Sequence, residues 1–192
     1  MIIKRIQQSI ELKTKILSDG VLIERIREAA TLIINAYRSE NKTLFCGNGG
    51  SAADAQHLAA ELSGKFYIDR PPIHAEACHL NTSFMTAVSN DYGYEMVFAR
   101  HIQAVGKRGD VLVCISTSGN SANIINAMQE AQKLGVSCIA MTGETGGLIA
   151  GLADVLINVP STDTPRIQEI HILIGHIICE LVETELFGEH MG

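Results

Sequence analysis

Short apolar runs alternate with helical segments through most of this chain, and that alternation is what most limits its fold. Thr43–Cys46, Val111–Ile115, 136–141 and 154–159 read as buried strands. Helical segments follow them at 51–63, 121–134 and about 165–187, with Gly135 placed to end the second as a C′ glycine. Strand–helix units with near-continuous apolar strands predict an α/β fold whose parallel sheet is covered on both faces. Ligands of such sheets bind at the C-terminal strand ends, near a topological switch point.

Two amphipathic helices precede the alternation, at 2–17 and 21–37, the second with Leu22, Ile23, Ile26, Ala29, Ala30, Ile33, Ile34 and Tyr37 at helical spacing. They suit either a cap on the core or a subunit interface. Residues 64–75 read as an irregular connection, since Pro71-Pro72 excludes a helix interior. A short strand is expected near 75–79. Helices are expected at about 82–89 and 94–105, split by the turn-rich Asn90-Asp-Tyr-Gly93. The expectation is a single domain over 1–192, with 1–40 as a helical extension packed on it.

Two glycine- and hydroxyl-rich loops sit where strands meet helices: Cys46-Gly-Asn-Gly-Gly-Ser51 and Ser116-Thr-Ser-Gly-Asn-Ser121. Free N–H groups and the helix dipole make such a junction an anion site. The first loop fits the loose dinucleotide pattern G-x-G-x-x-A at Gly47–Ala52. That pattern wants a strand ending in an acidic residue about 20 positions on, and here the stretch is the proline-containing connection. A purely structural tight turn is the plain alternative. Ser51-Ala-Ala-Asp54 has capping-box spacing. In the second loop Ser121 suits an N-cap, but four hydroxyls in six residues exceed what capping needs. No P-loop lysine follows, so a phosphate ester held by neutral donors fits better than a nucleoside triphosphate.

The formal net charge of −6, with no basic run, lacks a nucleic-acid footprint. No stretch reaches the ~20 apolar residues of a membrane span, and the N-terminus lacks a signal peptide's apolar core. The cytoplasm is therefore expected. Five cysteines without a Cys-x-x-Cys pair read as buried thiols.

The ionisable residues of two helices add chemistry to the loops. His57 and Glu61 share a face of 51–63 at i, i+4. Gln168 and His176 share a face of the last helix, while Glu169, His171, Glu180 and Glu183 lie elsewhere on it. Singly, such residues are often a surface pair or a structural histidine. Together, below an anion loop, they make a plausible N/O ligand set for zinc or a similar divalent ion.

Cys46–Ser51, Gln56-His-Leu-Ala-Ala-Glu61, Asn90-Asp91, Ile115–Ser121 and Arg166-Ile-Gln-Glu-Ile-His171 with His176 resemble the phosphoheptose isomerase family of the sugar isomerase (SIS) superfamily. The resemblance spans nearly the whole chain. It implies a three-layer α/β/α sandwich and a cytoplasmic homotetramer with sites at subunit contacts. It implies conversion of sedoheptulose 7-phosphate to D-glycero-D-manno-heptose 7-phosphate, feeding ADP- or GDP-heptose synthesis for bacterial surface polysaccharide. It implies one zinc per subunit at His57, Glu61, Gln168 and His176, and a catalytic pair at Glu61 and His176. Substrate contacts would fall on Asn48, Gly49, Gly50, Glu61, Asn90, Asp91, Ser116, Thr117, Ser118, Ser121 and Gln168. A non-catalytic SIS scaffold that binds a protein partner such as a replication initiator remains an alternative, as does an isomerase of another phosphosugar. Intact Glu61, His176 and Ser118 favour the enzyme.

Overall fold

A computed structural model describes residues 1–188. Its helices are α1 (Ile2–Leu17), α2 (Gly20–Arg38), α3 (Gly50–Ser63), α4 (Thr82–Tyr92), α5 (Val97–Val105), α6 (Ala122–Leu134) and α7 (Thr164–Phe187). Its strands are β1 (Thr43–Gly47), β2 (Ala75–Ala77), β3 (Val111–Ser116), β4 (Ser137–Thr142) and β5 (Val155–Asn158). Short 3-10 turns lie at Tyr94–Met96 and Leu148–Leu152.

The strands pair in parallel in the order β2-β1-β3-β4-β5. From β1 the chain steps one way to β2, and from β3 it steps the other way. The switch point therefore lies between β1 and β3. Their register sets Cys46 beside Cys114 and Gly47 beside Ile115, so the two glycine-rich loops leave the sheet side by side.

The period of two along each strand divides the core. Phe45, Val113, Ile139 and Met141 face α2, α3 and α7, packing with Ile33, Leu58, Ile174 and Ile178. Leu44, Cys46, Leu112, Cys114 and Cys138 face α5 and α6, packing with Phe98, Ile124 and Met128. Helices thus cover both faces, giving the expected three-layer α/β/α sandwich. All five cysteines are free and buried, and burial pushes the Cys138 and Cys179 thiols up to about 12.

Helix α2 starts at Asp19, whose carboxylate accepts from the Val21 and Leu22 N–H groups. Helix α1 buries Leu12 and Ile16 and leaves Ile2, Ile3, Ile6 and Ile10 exposed. Among the described residues no helix is long and apolar enough to cross a membrane.

Three local expectations need correction. The 90–93 tetrapeptide does not split its helices as read: α4 runs on through Asn90 and Asp91 to Tyr92, and Gly93 ends it at φ +90°. Weak turn preferences at two exposed residues give way to a helix already started by the Asn81 side chain, which accepts from Phe84 N–H. Ser51 does not form a capping box, because α3 starts earlier, with Gly49 as its N-cap and no side-chain cap bond. Ser121 is the N-cap residue of α6 but also makes no side-chain cap bond. Its hydroxyl lies 3.2 Å from Ser116 Oγ instead.

Candidate active site

The first loop closes through glycines for steric reasons. A side chain on Gly47 would collide with the Ser51 carbonyl, and Gly49 enters α3 at φ +56°. Gly50 faces α7: a Cβ there would lie 2.6 Å from Gln168 Nε2. The Gln168 amide is thereby placed against the first loop. Asn48 is fixed from two other elements. It exchanges hydrogen bonds with Asn123 of α6, Nδ2 to Oδ1 in both directions (2.9 and 2.8 Å), and accepts from the Tyr94 hydroxyl (3.0 Å). Asn123 and Tyr94 are absent from the sequence-level site, because their link to Asn48 crosses elements.

The second loop folds on its own hydroxyls. Ser116 Oγ accepts from Gly119 N–H (3.2 Å), and Ser118 Oγ accepts from Asn120 N–H (3.2 Å). Gly119 sits at φ +66°, with the Gly146 carbonyl where a side chain would go. Thr117 and Ser118 line a cavity of about 270 Å³ together with Thr145, Ser161, Thr162 and Thr164. The Ser161–Thr164 hydroxyls were visible as a run in the sequence but joined no motif. A larger groove of about 770 Å³ lies between α2 and the starting ends of β3 and β4. It contains none of the residues singled out by sequence, and the strand C-termini remain the better-founded site.

Helices α3 and α7 bring the ionisable groups together. His57 Nε2 lies 3.0 Å from Glu61 Oε1 and 3.0 Å from His176 Nε2. The two histidines come from positions 119 residues apart. Their approach depends on Gly175, where a Cβ would stand 2.5 Å from Leu58 Cδ1 on α3. His57 is exposed, while Glu61 and His176 are half-buried. Asp54 stands one turn before His57 on α3. One of its carboxylate oxygens is buried without a hydrogen-bond partner among the described residues. Burial raises its pKa, against the pull of His57 and His176. Its spacing of three before His57 and seven before Glu61 was a readable signal for this shared face.

The donor set suits a metal ion. One atom each from His57, Glu61 and His176 lie within 4.8 Å of one another. Two ligands of a tetrahedral zinc, each ~2.0–2.1 Å from the ion, sit about 3.3 Å apart, close to the two 3.0 Å separations seen here. Asn90 and Asp91 are not part of this cluster. They sit exposed at the end of α4, with Asn90 Nδ2 donating to Asp91 Oδ1 (2.8 Å).

The SIS domain family matches residues 7–143. Phosphoheptose isomerase of Sulfurimonas denitrificans is 51% identical over 186 residues, covering 97% of this chain and 95% of the relative. That of Mycobacterium tuberculosis is 54% identical over 181 residues, covering 94% and 92%. The solved phosphoheptose isomerase of Neisseria gonorrhoeae superposes with a TM-score of 0.89 at 44% identity, over 95% of this chain and 97% of that one. The Francisella tularensis structure gives 0.91 at 35% identity, over 95% and 96%. With such likeness over almost its whole length, the chain belongs to the phosphoheptose isomerase family of SIS-domain proteins.

Proposed function

We propose that this chain interconverts sedoheptulose 7-phosphate and D-glycero-D-manno-heptose 7-phosphate. The observation that carries the reading is the approach of His57, Glu61 and His176 on the two helices that also meet the first loop. Aldose–ketose exchange moves a proton between C1 and C2 and redistributes protons on O1 and O2. An enediolate route needs a base at carbon and an acid/base at oxygen. Glu61 takes the C1 proton of the open-chain ketose and returns it to C2. Its Oε1 meets His57, which leaves Oε2 for this work. His176, through the ring nitrogen that does not face His57, donates to O2 and collects the proton that O1 releases as the aldehyde forms.

Asn48, Gly49 and Gly50 line the sugar, with Asn90, Asp91 and Gln168 as further contacts. Ser116, Thr117, Ser118 and Ser121 anchor the phosphate, so that binding far from the reacting carbons positions C1 and C2. The hydroxyl-lined cavity beside Thr117 and Ser118 supports placing the anchor there. In this reading His57, Glu61, His176 and Gln168 hold one zinc per subunit. When bound, zinc supplies Lewis-acid polarisation of the carbonyl and charge stabilisation of the enediolate oxygens. The assembly is a cytoplasmic homotetramer with sites at subunit contacts, and the product feeds heptose synthesis for surface polysaccharide.

The test is turnover of sedoheptulose 7-phosphate with product identification by NMR. Glu61→Gln and His176→Gln should each lower kcat by roughly two to four orders of magnitude with the fold intact. Near-wild-type turnover in either variant removes that residue from the mechanism. Chelator-stripped protein should lose activity and regain it with zinc. Full activity after stripping, checked by elemental analysis, rules out an essential ion.

A further inference from the structure

The irregular segment 64–72 is tied down by one buried carboxylate. Glu183, on α7 two turns after His176, accepts from the backbone N–H groups of Phe66 (3.0 Å), Tyr67 (2.7 Å) and Ile68 (3.0 Å). It also accepts from Arg70 Nε at 2.9 Å, and both side chains of this ion pair are almost wholly buried. Arg70 then reaches the end of α3. Its Nη1 donates to the Leu62 carbonyl and its Nη2 to the carbonyl of Glu61 itself (2.9 and 3.0 Å). A single carboxylate–guanidinium unit thus joins the segment to both helices that carry the cluster.

A buried ion pair is in general no more stabilising than an apolar pair of equal volume, so stability alone is a weak account of this one. What the unit delivers is position. The Phe66 N–H is held by Glu183, and the Phe66 ring lies 5.6 Å from the His176 ring, with 32° between their planes. We propose that Arg70 and Glu183 are positioning residues that hold Phe66 against His176 and so fix the geometry of the His57–Glu61–His176 cluster. The activity arm of the test rests on the isomerase reading above, and the metal arm does not.

The experiment compares Phe66→Leu, Phe66→Tyr and Glu183→Gln with the wild type, after thermal unfolding has established which variants are folded. It measures kcat and KM on sedoheptulose 7-phosphate, and zinc affinity by chelator competition. Phe66→Leu should lower kcat and zinc affinity each by about tenfold to a hundredfold, while KM moves less than about threefold. Phe66→Tyr keeps the ring and should stay within about twofold of wild type. Glu183→Gln should reproduce the Phe66→Leu pattern. Wild-type kcat and zinc affinity in Phe66→Leu overturn the proposal. So does a folded Glu183→Gln that matches wild type. If Glu183→Gln does not fold, the two Phe66 variants decide. If the wild type itself does not turn over this sugar, the isomerase reading fails and zinc affinity alone decides the positioning role.

Discussion

His171 stands five residues before His176 on α7 but turns to the sheet. It is fully buried, and its Nε2 lies 3.1 Å from the Thr142 carbonyl. A carbonyl only accepts, so the ring is held as the Nε2–H tautomer. Burial drives its pKa down to about 4, and the bond to Thr142 opposes the shift only partly. Because the folded value lies below the unfolded one of about 6.5, this histidine's contribution to stability is complete above that pH. It is lost as pH falls toward 4, about 2–3 kcal/mol of it by pH 4.5. Urea unfolding at pH 7 and pH 4.5 should show the wild type losing about that much more stability than His171→Gln, which keeps a donor but does not titrate. Equal losses in the two proteins would mean that His171 is not buried in its neutral form. The sequence separated His171 from His176 by helical phase alone. It assigned Asp54 to a cap, because a cap is a local pattern, whereas the Asp54 surroundings are made by a distant helix.

At the scale of elements, the cluster is a property of the α3–α7 contact. Gly175→Ala would place a methyl 2.5 Å from Leu58 Cδ1, on a side chain with only 2% exposure and little room to retreat. Overpacking of this kind costs about 1–3 kcal/mol, offset by about 1 kcal/mol from better helix propensity. The expected result is a melting temperature lower by a few degrees and a kcat lower by about tenfold or more. An unchanged kcat would show that helix spacing does not govern the reaction. Periodicity made both helices legible, along with their shared faces. The contact between them was not legible, because nothing in a local window relates His57 to a residue 119 positions away. The start of α3 was misread for a related reason: Gly49 has no side chain to signal an N-cap, so Ser51 took that role in the sequence.

At the scale of the whole molecule, the parallel sheet and its two loops followed from apolar runs ending in glycines and hydroxyls. The order β2-β1-β3-β4-β5 required the structure, since strand neighbours are chosen by packing across the core. The apolar residues left outside that core bear on assembly. Ile2, Ile3, Ile6 and Ile10 of α1 are all more than half exposed, and Leu173, Ile177 and Leu181 of α7 are each over a third exposed. These faces are the candidates for the contacts of the proposed homotetramer, which light scattering tests: a mass four times that of the 20.7 kDa chain is expected. The Ile6→Lys, Ile10→Lys double variant should form smaller species with lower turnover. A tetramer of undiminished mass and activity in that variant would remove α1 from the interface.

Gly175 contributes no donor atom, yet it sets the spacing of His57, Glu61 and His176, three of the groups proposed to hold the metal. Grafting His57, Glu61 and His176 onto another pair of helices would carry over the ligands without their spacing. Selectivity among divalent ions should accordingly respond to a methyl group added at a position that never touches the ion.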